Sequence, residues 1–392
     1  MGIRSQTRGK PLPNKNKSAP KGALFPTMEK PFIIDSHCDL AFNMQAYGRD
    51  YTRSAAETRQ LEKGTSVPET NGDSLIGWHD YQRGRVAIVF STLFASPLSG
   101  KLGDGDKTVY ADYEEAHRVY LDQLRLYHQL TDSKPDYFRL VLNTKDLRKH
   151  MEEWGSPERK NLPVGLIPLM EGADGIRSTD ELDEWYELGL RLIGLAWAGT
   201  RYSGGTREPG PLTEDGRRLL KAMTDFNFTL DLSHMDEQSV LEALDLYEGP
   251  IVATHANCLA LLPNFPTNRH LSDRVIRGVI EHDGIIGIVP LNSFLKTGWS
   301  RAKGSPREEV PLDVVAEHMD HICQLAGDAR HVGIGSDFDG GFGVQSVPPE
   351  IDTIADLQKL VPLLTARGYS ELDAANILGG NWLDFLEKNL PS

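Results

Sequence analysis

The chain has 392 residues, a formal net charge of −14 and a hydrophobic fraction of 39%. The acidic balance argues against nucleic acid as a partner, while the apolar content suffices for a large core. No run of about 18 apolar residues occurs, so we expect neither a transmembrane helix nor a membrane partner.

The first thirty residues differ in character from the rest of the chain. They hold seven Lys or Arg and one Glu, and they lack the apolar segment of a signal peptide. We predict a disordered basic tail over residues 1–30, with a contact to a partner subunit or an acidic surface as the alternative. Residues 31–392 are predicted to form a single domain.

Eight apolar runs rich in β-branched residues, bounded by Gly and Pro, are typical of buried parallel strands. They cover Phe32–Asp35, Val86–Phe94, Val164–Met170, Leu192–Ala198, Phe228–Leu232, Ile251–Thr254, Ile285–Pro290 and His331–Ser336. Helical spacing predicts helices at Tyr113–Leu130, Thr213–Phe226, Ser239–Tyr247, Ser272–His282, Leu312–Ala326 and Thr353–Arg367. This alternation predicts an α/β fold, specifically a (β/α)₈ TIM barrel.

Side-chain oxygens at the starts of three helices are predicted to cap them, namely those of Thr213, Ser239 and Ser272. Two longer stretches, Arg49–Gly84 and Ser293–Pro311, are polar and rich in turn residues. Long loops in compact domains are often lids or binding loops, so we expect both to cross the barrel mouth.

Three cysteines, Cys38, Cys258 and Cys323, are widely spaced and form no CxxC pair. An odd number in this spacing gives neither a disulfide framework nor a thiolate zinc site. We therefore expect a reducing compartment and a cytoplasmic location.

Polar side chains stand where the apolar runs end, as expected for a barrel enzyme whose site lies at the C-terminal face of its strands. They are His37, Asp39, Glu171, His234, His255 and Asp337. Imidazole and carboxylate ligands in this number suit a pair of divalent metals and favour zinc.

Each of these residues also has a structural interpretation when taken alone. Glu171 is open to being a salt-bridged acid, and a single histidine at a strand end is more often a core residue than a ligand. The presence of His234 and His255 on successive strands, together with the acids, favours the metal site. Asp337 is the predicted proton acceptor, with Asp339 as the alternative. His318 and His321 are predicted to lie on a solvated helix face.

With these residues in hand, the chain resembles the membrane (renal) dipeptidase family, the zinc peptidase family M19 among amidohydrolase-like barrels. The resemblance rests on the motifs IIDSHCDL, LMEG, DLSH, ATHAN, NRHLSD, GIGSDFDG and GGNWLDFL. It implies two Zn²⁺ ions per chain: His37, Asp39 and Glu171 on one, and Glu171, His234 and His255 on the other, so that Glu171 bridges.

The resemblance also implies roles for residues around the metals. Arg269 matches the arginine that binds the substrate carboxylate, and Asp337 matches the catalytic aspartate. Such enzymes hydrolyse dipeptides with a zinc-bridged hydroxide and tolerate a D residue at the C-terminal position. A homodimer is expected from the resemblance only.

One position departs from the family pattern. Family enzymes often carry a histidine after strand four that binds the substrate carbonyl or oxyanion, and Trp197 stands there in this chain. An indole donates one hydrogen bond and cannot become cationic. Arg201 or Tyr202 is the expected replacement donor, and all three are predicted to contact substrate.

The sequence therefore predicts a metal-dependent dipeptidase that acts on small peptides. A related binuclear amidohydrolase acting on another amide, lactam, lactone or ester is the first alternative. A non-catalytic metal-binding barrel is the second, and the presence of Asp337 and Arg269 argues against it because neither is needed merely to hold metal.

Overall fold

In the computed structural model, eight parallel strands surround the centre of the molecule. They are β1 (Ile33–Cys38), β2 (Val86–Phe94), β3 (Val164–Glu171), β4 (Leu192–Gly194), β5 (Thr229–Asp231), β6 (Ile251–Val252), β7 (Ile286–Ile288) and β8 (Val332–Ile334). They pair in the order β6-β5-β4-β3-β2-β1-β8-β7, and a parallel bridge between Ala253 and Ile286 joins β6 to β7. The sheet thus closes almost completely into the predicted (β/α)₈ barrel, and the strand residues are buried because both faces are covered.

The structure describes residues 30–98, 108–156, 158 and 160–392. Apart from Lys30, the tail predicted over residues 1–30 lies outside the described residues, so its disorder stays a prediction, as does the division of the chain into tail and single domain. No helix within the described residues has the length and apolar character needed to cross a bilayer.

The α-helices connect the strands and follow the last one. Their bounds are Leu40–Tyr47, Ala55–Glu62, Val67–Thr70, Trp78–Gly84, Tyr113–Ser133, Thr144–Gly155, Leu182–Glu187, Glu214–Asp225, Glu237–Leu246, Asp273–Glu281, Asn292–Leu295, Asp313–Ala326, Leu360–Ala366, Glu371–Ala375 and Asn381–Asn389. Short strands outside the barrel are Ser96–Pro97 with Val109–Tyr110, the hairpin Ser203–Gly205 with Glu208–Leu212, and Phe138–Leu140 beside the start of β3.

Two of the three predicted caps are confirmed. The hydroxyls of Thr213 and Ser272 accept hydrogen bonds from backbone N–H groups in the first turns of their helices. The prediction for Ser239 is wrong, because its helix begins two residues earlier and Asp236 caps it. The Ser239 hydroxyl instead donates to the carbonyl of Gly210 at 2.8 Å.

The two long stretches, predicted as loops, contain short helices. Three short helices lie within Arg49–Gly84, and Ser293–Pro311 starts inside the helix Asn292–Leu295. The guanidinium of Arg301 donates to the carbonyl of Pro68 at 2.8 Å, which joins the two stretches. Both contribute residues to the cavity above the barrel, as the sequence predicts.

The prediction of a solvated helix face is wrong for His318, which is fully buried. Its Nδ1 accepts from the backbone N–H of Cys258 at 3.1 Å. His321, one turn on, is partly exposed and pairs with Asp273 at 2.7 Å. The polar spacing on this helix did not reveal that a neighbouring loop covers one of the two histidines.

Candidate metal centre

The five predicted ligands converge at the carboxyl ends of β1, β3, β5 and β6. His37 belongs to β1, Asp39 follows it, and Glu171 ends β3. His234 and His255 each come three residues after their strand. None of the five is more than 9% exposed. Parallel strands bring their carboxyl ends to one face of a barrel, which is why residues far apart in sequence meet here.

The two oxygens of Glu171 face two different groups. Its Oε1 lies 3.0 Å from Nε2 of His234 and 3.2 Å from Nε2 of His255. Its Oε2 lies 3.6 Å from Nε2 of His37, which is itself 3.7 Å from Oδ2 of Asp39. This arrangement places Glu171 where a carboxylate that bridges two cations would stand.

Hydroxyl groups hold the outer nitrogens of two histidines. Nδ1 of His234 lies 3.1 Å from Oγ1 of Thr206, and Nδ1 of His255 lies 2.9 Å from Oγ1 of Thr254. Such contacts fix the ring orientation of metal-binding histidines and direct Nε2 toward the metal.

Unpartnered buried atoms indicate that the cluster suits a cation. Among the described residues, neither ring nitrogen of His37 nor Oδ1 of Asp39 has a hydrogen-bond partner. A buried polar atom without a partner is costly, and coordination to a cation would satisfy it. The donor set of imidazoles and carboxylates is the one that zinc and similar metals take.

The electrostatics of the cluster support the same conclusion. Burial opposes protonation of His37, but the charges of Glu171, Asp39 and Asp337 outweigh it and raise the pKa of His37 to about 10. Burial also raises the pKa of Asp39 well above its usual value. The cluster therefore favours a positive charge among its carboxylates.

The other two histidines are set up to be neutral. Burial, with help from the charge of Arg269, lowers the pKa of His234 to about 4. Burial and the neighbouring His37 lower the pKa of His255 well below its usual value. Neutral imidazole is the form that binds metals, so both rings are ready to act as ligands near pH 7.

Asp337 faces the cavity beside this cluster, with Oδ1 3.8 Å from Nε2 of His37. Burial raises its pKa to about 7, an effect that His37 opposes and Glu171 strengthens. Its carboxylate also forms a group of ligand type with His37 and His255, in which one atom of each lies within 4.8 Å of the others. A carboxyl with a pKa near neutrality is suited to proton transfer.

Asp339, the alternative base, is engaged elsewhere. It is fully buried, and it accepts from Tyr51, Ser74 and the backbone N–H of Leu75 at 2.8–3.0 Å. It also pairs with Arg49 at 2.8 Å. These contacts use its oxygens for structure, which leaves Asp337 as the carboxylate available to a substrate.

Two site residues have left-handed backbones, His234 with φ 66° and Asp337 with φ 58°. A non-glycine residue in this region is uncommon, and such residues cluster at functional sites. Steric crowding near the site explains a glycine in the stretch after β8. A Cβ on Gly340 would lie 2.2 Å from Oδ1 of Asp337 and 2.7 Å from Oδ2 of Asp39.

Two buried aspartates that were not predicted from the sequence lie beneath the centre. Asp35 accepts from the backbone N–H of Ser336 at 2.7 Å and from that of His37 at 3.3 Å. Asp231 accepts in the same way from Thr254, at 2.8 Å. Each aspartate therefore ties its own strand to the residue just before a site residue that follows another strand. The available signal was a charged residue at the end of an apolar run, as the first residue of DSH or DLSH.

A cavity of about 670 Å³ opens above the centre, within the size range of small-molecule sites. Arg269 lines it and is 3% exposed. One guanidinium nitrogen donates to the carbonyl of His255 at 2.6 Å, while Nε and Nη1 have no partner among the described residues. Burial lowers the pKa of Arg269, and Asp337 and Glu171 oppose that effect. A buried guanidinium with unused donors suits an anion such as a carboxylate.

The three other predicted substrate contacts divide into two groups. Trp197 lines the cavity, as expected. Arg201 donates to the carbonyl of Arg177, and the Tyr202 hydroxyl donates to the carbonyl of Ile176. The structure therefore does not bring Arg201 or Tyr202 to the cavity, because the turn after β4 directs both toward the loop that follows β3. This placement corrects the expectation that they replace a histidine donor.

Comparisons with known proteins identify the family of this chain. The family model described as membrane dipeptidase (peptidase family M19) matches residues 25–389. An uncharacterised protein of the pqqA 5′ region in Klebsiella pneumoniae is 30% identical over 69% of this chain and 95% of its own length. Dipeptidase verJ of Clonostachys rogersoniana is 26% identical over 78% of this chain and 73% of its own length.

Two crystal structures extend the likeness to three dimensions. That of dipeptidase AC, a metallopeptidase of family M19, superposes with a TM-score of 0.72 at 26% identity, covering 93% of this chain and 100% of the other. A metallopeptidase from Rhodobacter sphaeroides, liganded with a phosphinate mimic of the dipeptide L-Ala-D-Ala, gives 0.73 at 25% identity over 92% and 100%. The chain belongs to the membrane dipeptidase family, peptidase family M19, and is a metal-dependent dipeptidase.

Proposed function

We propose that the metals are two zinc ions per chain, bridged by Glu171, and that the substrates are free dipeptides. The main support is that the two oxygens of Glu171 face different groups. Its Oε1 lies near His234 and His255, and its Oε2 lies near His37. When bound, a zinc pair supplies an activated water and polarises the scissile carbonyl.

The chain's own residues supply proton transfer and orientation. Asp337 is proposed to accept the proton of the attacking water and to donate it to the leaving amine, because it faces the cavity beside the ligands. Arg269 is proposed to hold the C-terminal carboxylate through its guanidinium, whose Nε and Nη1 have no partner among the described residues. The liganded Rhodobacter sphaeroides relative supports tolerance of a C-terminal D residue. The expected homodimer and the cytoplasmic location stay predictions.

Metal analysis combined with a substrate panel tests this proposal. Protein purified without chelators should contain about two zinc ions per chain, and it should hydrolyse L-L and L-D dipeptides. Bound metal without hydrolysis of any substrate would favour the non-catalytic barrel. Hydrolysis of lactones or cyclic amides, with dipeptides left intact, would favour another amidohydrolase activity.

Arg269→Lys should reduce kcat/KM for free dipeptides by roughly 10- to 100-fold, the value of a charge-assisted hydrogen bond. Lysine keeps the charge but loses the planar fork that pairs with a carboxylate. Dipeptide amides, which lack that carboxylate, should change little. Steady-state kinetics on matched free and amidated peptides measure the difference.

Arg207 provides the matched control, since it also lines the cavity but lies exposed at its mouth. Arg207→Lys should leave the preference for free over amidated peptides intact. Equal losses on both peptide types in Arg269→Lys would show that Arg269 acts through its bond to the carbonyl of His255.

A further inference from the structure

A cluster of aromatic side chains lines the cavity and is separate from the main hydrophobic core. Phe42 and Phe94 form it together with Ala46, and Tyr47 and Trp197 pack against them. The ring centroids of Phe42 and Phe94 are 5.6 Å apart, and those of Phe94 and Trp197 are 5.2 Å apart. Both pairs are edge-to-face, the arrangement that aromatic rings prefer.

The cluster occupies one side of the barrel mouth. Phe42 follows β1, Phe94 ends β2 and Trp197 follows β4. In the barrel the order of these neighbouring strands is β1, β2, β3 and β4. Arg269 follows β6 and Phe294 follows β7, across the mouth. The metal centre lies between the two sides, with the Trp197 ring 6.1 Å from that of His234.

The aromatic cluster has a buried part and a part that faces the cavity. Phe42 and Phe94 are 2% and 5% exposed, so their positions are fixed by packing. Tyr47 and Trp197 are half-buried and complete the surface toward the cavity. Covering aromatic surface that faces a cavity with an apolar group lowers the free energy, because both surfaces leave water.

We infer that this aromatic cluster is the subsite for the side chain of the N-terminal residue, and that the preferred substrates are dipeptides with an aromatic or bulky apolar N-terminal residue. The inference rests on the proposed function. With the C-terminal carboxylate at Arg269 and the scissile carbonyl at the metal centre, the rest of the substrate extends toward Phe42, Phe94 and Trp197. Trp197 is therefore a specificity-determining residue of this chain.

The test compares kcat/KM for Phe-Ala, Ala-Ala, Ala-Phe and Glu-Ala with zinc-loaded full-length protein. Phe-Ala should exceed Ala-Ala by roughly 10- to 100-fold, the effect of burying one aromatic side chain. Trp197→Ala should reduce that ratio at least about fivefold. Phe94→Leu should reduce it less, because it removes less apolar surface from the aromatic cluster. The ratio of Ala-Phe to Ala-Ala should not follow this change. Phe265→Ala, on the Arg269 side of the cavity, should keep the preference for Phe-Ala.

Several outcomes would overturn the inference. They are equal rates for Phe-Ala and Ala-Ala, a preference for Glu-Ala, and an unchanged ratio in folded Trp197→Ala and Phe94→Leu. If the wild type hydrolyses no dipeptide, the proposed function fails. Calorimetric binding of Phe-Ala and Ala-Ala to wild type and Trp197→Ala then decides the subsite separately, since equal affinities would contradict it.

Discussion

Glu171→Gln should lower the metal content from about two ions per chain to near zero and abolish dipeptide hydrolysis. Gln keeps the size of the side chain but loses the charge, and its amide nitrogen cannot bind a metal as carboxylate oxygen does. Because Oε1 faces His234 and His255 while Oε2 faces His37, the change replaces the ligand oxygen of one position with NH2 and removes the negative charge that both positions share. Loss of several kcal/mol of transition-state stabilisation corresponds to roughly 10³-fold or more in rate.

Two further variants test whether Glu171 bridges two metals. His37→Ala removes a ligand from one position only, so elemental analysis should find about one metal per chain. Glu208→Gln removes a negative charge from the cavity rim, where Glu208 accepts from the backbone N–H of Gly199, and both metals should stay. If Glu171→Gln retained one tightly bound metal, Glu171 would serve a single site.

The barrel could be predicted because its strands are buried on both faces and therefore appear as continuous apolar runs. The five ligand candidates could be predicted because each stands where such a run ends, and parallel strands end at the same face. Strand length was less certain. β4 stops at Gly194, four residues before the predicted end, because the chain turns away to bring Trp197 to the cavity.

Contacts between distant segments were not available from the sequence. Asp35 and Asp231 resemble strand residues in the sequence, and only the fold shows that they accept from Ser336 and Thr254, which follow other strands. Arg201, four residues from Trp197, was predicted to contact substrate and to replace the missing histidine donor, but nearness along the chain does not fix where a side chain points after a turn. Asp339 was separable from Asp337 only through its bonds to distant residues.

Asp337→Asn should reduce kcat by about 10²- to 10⁴-fold while the metal content stays near that of the wild type. Asn keeps the shape of the side chain but cannot accept a proton, and the ligand atoms of Glu171, His234 and His255 are untouched. A base must be ionised to act, so wild-type kcat/KM should rise with pH through the pKa of Asp337. Burial raises that pKa to about 7, and bound cations lower it, so the midpoint should lie at or below about 7. The acid limb should be absent from the Asn variant.

Chemical rescue then separates proton transfer from metal binding. Asp337→Ala leaves space for a small carboxylate, and added formate should restore part of kcat in proportion to its ionised fraction. Because Asp337 also forms a group of ligand type with His37 and His255, metal analysis of both variants is required. Loss of metal in parallel with loss of rate would make Asp337 a ligand. A normal kcat across the pH range would show that another group carries the proton.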